Sequence, residues 1–394
     1  MLRRFKCRVQ PWSYDEYIES MDCPSKRQFY LDTKLDMEAG RTISNRITPF
    51  TKLEKMGTNK YKAPRLIQAR HPTFNLALGC YIKPLERALK FRDNFGKGTY
   101  DQIGAKVARL SRKYKYYTEG DHLTFDAHVT VEMLRLCHRF YLRCFNNDSK
   151  LLRLCGKTIR NRALSRNGER YTVNGTRMSG DVDTSFGNSI INYYIIRSVL
   201  ADLHLSGDAI VNGDDYIIFT DVPIDGSAAT TAFRRYNMDT KLLPSSSNIH
   251  TVSFCRTKLF YHPDGHPTMG FDPVRLKKIY GCTNIMYPFE DYMQYLELIH
   301  HANYMININS PIHTNWKPLP KLESKLKKYM TRSLERVFNK QLSNKPYDYD
   351  YLTPSYIEAY PDYVYDRKVN ILYTKPKPPI EFIINHNIKE ISQC

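Results

Sequence analysis

Two apolar, β-branched runs, Asp208–Val211 and Tyr216–Thr220, are separated only by Asn212-Gly213-Asp214-Asp215. Asn-Gly between such runs is a strong short-range hairpin signal, so the two strands should pair antiparallel and hold both aspartates near their tip. A second pair of acids, Asp121 and Asp126, flanks a short strand expected over His122–Phe125. From Asp126 to Phe145 the apolar positions Val129, Met133, Leu136, Phe140 and Cys144 recur every three or four residues, the spacing of an amphipathic helix. Another long helix is expected over Phe186–Leu203, in an apolar stretch interrupted by Asn192 and Arg197. Strand, helix, hairpin and helix in this order suit an α+β fold built on a split βαβ sheet of ferredoxin-like type.

The rest of the chain is read more coarsely. Residues 14–50 show helical spacing, and Pro49, Pro64, Pro72 and Pro84 should then break the chain into short strands and loops. Beyond Tyr280 the sequence is helical and tyrosine-rich, loosening from Lys345 into Tyr/Asp/Pro-rich text and a Lys375–Pro379 spacer. Nine scattered cysteines without a CxxC pair argue against a disulfide framework or a zinc finger and for a reducing compartment, so they and His128 and His138 are taken as structural. No membrane span or secretion signal is visible.

Charge distribution narrows the partner. Of 59 Lys and Arg, 25 lie in residues 1–115 against 11 Asp and Glu, and a second basic stretch, Lys150–Arg177, has Glu169 as its only acid. Two such segments fit a surface that binds a polyphosphate backbone with salt-sensitive affinity.

An acid at one strand end and acids at a neighbouring hairpin tip suit magnesium, which takes octahedral oxygen ligation from few carboxylates, with substrate phosphates completing the shell. Two such ions can activate a ribose 3′-hydroxyl and stabilise a departing pyrophosphate. Between the acid sites, Gly175 to Asn188 is a glycine-rich loop entering a helix, with Thr184 and Asn188 on one helical face.

This constellation resembles a viral RNA-dependent RNA polymerase, closest to the tombusvirus-like group and related to nodavirus and flavivirus-like enzymes. Asp121-His-Leu-Thr-Phe-Asp126-Ala-His128 is similar to the first palm motif, Ser179-Gly180 through Thr184 and Asn188 to the second, and Gly213-Asp214-Asp215 to the third. Lys241 stands in the place of the fourth motif's lysine, and Phe254-Cys255 looks like the primer grip. Upstream, Phe50-Thr-Lys52-Leu-Glu54-Lys55, then Ala63-Pro-Arg65 to Arg70 and Leu78 to Glu86, resemble the fingers motif of the nucleotide tunnel. One departure is His122-Leu123-Thr124, where small and basic residues are more usual.

The resemblance implies a right-hand fold. Fingers would cover 1–120 and 150–178, palm 115–150 and 179–270, thumb and a C-terminal extension 271–394. It implies template-directed RNA synthesis with Asp121, Asp214 and Asp215 as metal ligands for Mg2+, with Mn2+ a substitute, and Lys241 as proton donor to pyrophosphate. Lys55 and Arg65 would neutralise the triphosphate. Asp126, Asn188, Ser179, Gly180 and Thr184 would hold the nucleotide, with Asp126 and Asn188 reading the ribose 2′-hydroxyl. Lys52, Arg70, Phe254 and Cys255 would contact RNA. Implied partners are template and nascent RNA, ribonucleoside triphosphates, and viral or host replication factors, in the host cytoplasm at membrane-associated replication sites. The rivals are a non-catalytic RNA-binding module, which has little use for converging carboxylates beside RNA, and a reverse transcriptase, which should exclude the 2′-hydroxyl with bulk near Asp126.

Overall fold

The computed structural model describes residues 5, 7–52, 63–283, 285–340, 342–343, 345–348 and 352–362. They form a mixed α/β architecture with several sheets, divided into two compact units. The first takes in described residues up to 52 together with 64–98 and 102–255, and the second takes in 63, 99–101 and described residues from 256 onward.

The first unit opens with α1 (Tyr14–Glu19), closed by a Ser13–Glu16 capping box, and α2 (Pro24–Glu38). The chain then forms β1 (Ile47–Thr51) and β2 (Leu66–Arg70), an antiparallel pair. Here one expectation fails. Pro72 and Pro84 do not break the chain into strands and loops, because α3 runs unbroken over Pro72–Leu89. Pro72 occupies the first turn, where a missing N–H costs nothing. Pro84 lies inside the helix and removes the N–H that would bond the Cys80 carbonyl. That carbonyl instead accepts the backbone N–H of Trp12 at 2.8 Å, so the N-terminal segment repairs the gap.

After α4 (Tyr100–Ser111) comes β3 (Tyr116–His122), earlier than the strand expected at His122–Phe125. Thr124, with φ +48°, turns the chain into α5 (Phe125–His128), and Thr130 caps a separate helix, α6 (Val131–Cys144). The single helix read from periodicity is thus two. Next are α7 (Ser149–Gly156) and the antiparallel pair β4 (Arg160–Leu164) and β5 (Arg170–Asn174), which joins the first pair in the order β2-β1-β4-β5.

The central sheet follows: α8 (Thr184–Asp202), β6 (Gly207–Asn212), β7 (Asp215–Thr220), α9 (Gly226–Arg235) and β8 (Thr240–Leu242). Strand order is β6-β7-β3-β8, and every neighbouring pair is antiparallel. It follows that β3 and β6 run parallel across the α8 crossover, and β7 and β8 run parallel across α9. α8 is apolar nearly all round because it packs on β6, α6 and α9 at once. The core of this unit holds Phe140, Tyr141, Phe186, Ile190, Tyr193, Ile218 and Phe233. The last strand of the unit is β9 (Ser253–Phe254).

An irregular segment, residues 90–97, runs beside β6. Val211 donates to the Asn94 carbonyl (2.9 Å) and accepts from Gly96 (2.8 Å). The buried Lys106 ammonium donates to the carbonyls of Lys90, Phe95 and Lys97 at 2.5, 2.7 and 2.9 Å, one for each of its protons.

The second unit contains the antiparallel hairpin β10 (Thr257–Tyr261) and β11 (Pro267–Phe271), then α10 (Pro273–Ile279), α11 (Phe289–Ile306), α12 (Arg332–Asn339) and α13 (Pro354–Ala359). Its cores are tyrosine-rich, one around Phe260, Trp316, Tyr347 and Tyr356 and another around Tyr292, Tyr295 and Tyr329. Among the described residues no helix is long and apolar enough to cross a membrane.

Candidate active site

The hairpin expectation holds. β6 and β7 pair from Gly207↔Thr220 to Asn212↔Asp215, leaving Gly213-Asp214 as a two-residue turn. Gly213 has φ +69° at the first central position, where the primed hairpin turns require positive φ. Asp214 and Asp215 are both exposed. The β3–β7 register ends at Gly120↔Tyr216, so Asp121 and Asp215 lie at the same end of neighbouring strands. Asp121 is exposed and stands directly opposite Lys241 on β8, on the same face of the sheet. Gly120 is required here, because a Cβ would strike the Tyr216 hydroxyl and come within 2.6 Å of Leu242 Cδ2. All the expected metal ligands and the lysine thus share one end of one sheet. Among the described residues no three His, Cys, Asp or Glu side chains are gathered into a ready-made metal cage.

The turn is held from behind by α8. Ser189 Oγ accepts the Gly213 N–H (2.8 Å), and Asn192 Nδ2 donates to the carbonyls of Gly213 (3.0 Å) and Asp214 (3.1 Å). His122 bridges Asn192 Oδ1 (3.1 Å) and the Thr240 hydroxyl (2.7 Å). Burial lowers the His122 pKa to about 4, so its imidazole is neutral.

Beside this lies a second polar group. Asn188 Nδ2 donates to Asp126 Oδ1 at 2.7 Å, and Arg177 Nε donates to Asn188 Oδ1 at 3.1 Å. Arg177 also pairs with Asp183 at 2.7 Å, both side chains being about 1–2% exposed, and the Tyr141 hydroxyl donates to Asp183 at 3.0 Å. Burial raises the pKa of Asp126, with the nearby Asp214 charge adding to the effect and the Asn188 hydrogen bond and Arg177 opposing it. Burial also pushes Asp183 upward, but the Arg177 charge, His138 and the hydrogen bonds from Tyr141 and Arg177 together hold the carboxyl below its ordinary value. Asn188 is only 4% exposed, its oxygen and one amide hydrogen already engaged, so Asp126 is the more accessible of the pair.

The remaining expected residues divide by burial. Lys52 and Arg65 are exposed and joined just beyond the Thr51↔Leu66 end of the β1–β2 pair, where Lys52 N–H donates to the Arg65 carbonyl (2.9 Å). Lys55 lies outside the described residues. Ser179 Oγ accepts the Gln68 N–H (3.0 Å), and Gly180 N–H donates to the Gln68 carbonyl (3.0 Å), so both residues fasten the loop to β2. A Cβ on Gly180 would meet that carbonyl at 2.5 Å. Thr184 directs its hydroxyl at the carbonyls of Met178 and Asp181 (2.8 Å each) and shapes the same loop.

Two expectations of RNA contact need correction. Arg70 is 3% exposed and forks onto Asp181 (2.5 and 2.9 Å) and Asn161 (2.8 Å), so its guanidinium holds the loop and not RNA. Phe254 is buried against the backbone of Gly96, where any Cβ would collide with its ring. Cys255 accepts from Asn212 Nδ2 (3.3 Å), and burial raises its thiol pKa to about 12.

Sequence reasoning missed Arg177, Asp183 and Ser189, whose roles come from contacts between distant segments. His122 and Asn192 carried a faint signal, as a polar group next to Asp121 and as a break in an apolar helix.

The family described as viral RNA dependent RNA polymerase matches residues 10–348, most of the chain. The chain belongs to that family. Relatives named RNA-directed RNA polymerase include that of Groundnut rosette virus (strain MC1), 32% identical over 275 residues, or 64% of this chain and 32% of that protein. The protein of Oat chlorotic stunt virus (isolate United Kingdom) is 27% identical over 286 residues, 66% of this chain and 37% of its own. That of Tobacco necrosis virus (strain A) is 31% identical over 231 residues, 54% of this chain and 32% of its own. The chain thus spans about a third of the length of these relatives. The tombusvirus-like resemblance of the ordered motifs agrees with membership in this polymerase family.

Proposed function

We propose that the chain is the catalytic part of an RNA-directed RNA polymerase that copies a positive-strand viral genome. The observation that carries this reading is the convergence of Asp121 with Asp214 and Asp215 at one end of one sheet, beside the Asp126–Asn188 pair. The sheet order β6-β7-β3-β8 with crossovers α8 and α9 supports reading this region as the palm. Residues 1–120 and 150–178 would then serve as fingers and the second unit as thumb.

Polymerases of this family work with divalent metal ions. Exposed carboxylates are hard oxygen donors that fit Mg2+, with few protein ligands and substrate phosphates filling the shell. Asp121 and Asp214 would hold such ions, with Asp215 assisting. When bound, paired ions supply activation of the attacking 3′-hydroxyl and charge stabilisation at the phosphate. Among the protein groups, Asp126 has a second carboxylate oxygen free of Asn188 to accept the ribose 2′-hydroxyl, and Asn188 and Arg177 fix its orientation. Lys241, opposite Asp121 on the neighbouring strand, would give a proton to departing pyrophosphate. Lys52 and Arg65 offer positive charge to triphosphate or template. Host or viral factors would recruit the chain to membrane-associated sites in the cytoplasm.

Primer extension on a defined RNA template with Mg2+ tests this reading. The wild-type chain should extend the primer with ribonucleotides, and Asp214→Asn should bind RNA normally yet lose nearly all incorporation. An Asp214→Asn variant with wild-type rates would overturn the ligand assignment.

A further inference from the structure

We propose that His122 is a positioning residue for the catalytic hairpin, setting the place of the Gly213-Asp214 turn through Asn192. This inference rests on the polymerase reading of the hairpin carboxylates.

The hydrogen-bond directions follow from counting donors. Asn192 has two amide hydrogens, and both go to turn carbonyls, of Gly213 and of Asp214. Its Oδ1 is therefore the acceptor for His122, which must carry its proton on Nε2. Nδ1 is then unprotonated and accepts the Thr240 hydroxyl. The result is a one-way chain from Thr240 through His122 and Asn192 to the carbonyls of the residues that bear and precede the Asp214 carboxylate. It links β8, β3, α8 and the β6–β7 turn, the four elements that carry Lys241, Asp121, Asn188 and Asp214.

Packing makes the imidazole rigid. His122 is 3% exposed and Asn192 is buried completely. The His122 ring lies 4.8 Å from Tyr216, 5.4 Å from Phe125 and 5.3 Å from Phe233, which leaves little freedom to rotate. Any buried imidazole needs partners for both nitrogens; here one partner is Asn192, whose amide holds both turn carbonyls, and the other lies on β8. Because it follows Asp121 on β3, alternation directs it to the opposite face, so it can tie the strand to the turn without entering the substrate side.

His122→Phe keeps the ring and removes both hydrogen bonds, whereas His122→Gln places an amide N–H near the position of Nε2. Single-nucleotide addition should show His122→Phe with kcat lowered on the order of 100-fold, the effect of about 1 Å of misplacement. Nucleotide KM and RNA affinity should stay within about twofold. His122→Gln should recover most of kcat. Amide hydrogen exchange over residues 213–215 should accelerate in the Phe variant and not in Gln, and ring 15N spectra of the wild type should show protonated Nε2. If the Phe variant does not fold, Gln and Asn192→Leu serve, the first near wild type and the second slow in kcat with fast exchange at the turn.

Equal losses in Phe and Gln, an unchanged kcat in Phe, or a proton on Nδ1 would overturn the proposal. Wild-type chain and Asp214→Asn run alongside separate the two levels. An inactive wild type sinks the polymerase reading, an Asp214→Asn variant with wild-type rates sinks the assignment of the hairpin carboxylates, and this inference falls with either. An active wild type with an indifferent His122→Phe sinks the positioning role alone.

Discussion

Replacing Arg177 by Met keeps most of the side-chain volume and removes several interactions at once. Asp183 loses its buried partner at 2.7 Å, and Asn188 loses the donor that fixes its Oδ1. Breaking a buried pair by removing one member costs about 3–5 kcal/mol, because the remaining carboxylate is stranded. At roughly 2–4 °C per kcal/mol for a unit of this size, the unfolding temperature should fall on the order of 10 °C. The second effect is on sugar choice. Without Arg177 the Asn188 side chain is no longer held at its oxygen and can swing away, releasing the Asp126 carboxylate from its 2.7 Å hydrogen bond. A hydrogen bond to a charged group at about 1–3 kcal/mol corresponds to a loss of roughly 5- to 150-fold in preference for ribonucleotides over deoxyribonucleotides. The assay is the ratio of kcat/KM for the two sugars, measured at a temperature where the variant is folded. The double variant Arg177→Met with Asp183→Leu should regain stability, since no charge is left buried, yet not sugar choice. Unchanged discrimination in the folded single variant would refute the orienting chain from Arg177 to Asp126. Recovery of both properties in the double variant would refute their separation.

Gly120→Ala should destabilise the fold by about 1–3 kcal/mol in urea unfolding, through collision with the Tyr216 hydroxyl and Leu242, and should slow incorporation by moving Asp121. His138 is buried with its pKa lowered to about 4 by desolvation. Its folded form resists the proton that the unfolded form takes near pH 6.5, so stability is complete above that pH and declines toward pH 4 by about 3 kcal/mol. A His138→Gln variant should show a shallower decline, and parallel pH profiles of urea midpoints would count against the assignment. On the β4–β5 pair, Arg160, Arg162 and Arg170 are exposed on one face. Neutralising all three should reduce the logarithmic salt slope of single-stranded RNA binding by about 0.7 for each phosphate that is no longer neutralised, and an unchanged slope would remove that face from the RNA path.

What could be read beforehand depended on whether the information was local. The hairpin at Asn212–Asp215 was legible because turn chemistry and alternating burial act over a few residues. That Asp121 and Asp214 lie at strand ends was legible for a similar reason, from the short apolar runs beside them. α3 was misread since local logic treats Pro84 as a breaker, whereas the orphaned Cys80 carbonyl is satisfied by Trp12, 68 positions away. Arg70 and Arg177 look like any other basic residues in basic stretches, and only the fold brings Asp181 and Asp183 to them. Helical spacing showed only that Asn188 shares a face with Thr184, and its sugar role came from the resemblance; its burial and its bond from Arg177, which set it behind Asp126, come from the fold.

One edge of the central sheet, β6, has no neighbouring strand among the described residues, yet most of its outward backbone groups are occupied. Besides the two bonds of Val211, the Ala209 carbonyl accepts Asn94 Nδ2 at 2.8 Å, the Ala209 N–H donates to Asp208 Oδ1 at 2.9 Å, and the Gly207 carbonyl accepts Arg197. A free strand edge is ordinarily a template for another chain. Here an incoming strand finds every second rung already answered by a side chain or by the irregular segment that Lys106 clasps. Neighbouring copies of the chain therefore need not join sheet to sheet along the strand that leads into the Gly213-Asp214 turn, and the turn keeps its freedom to face solvent.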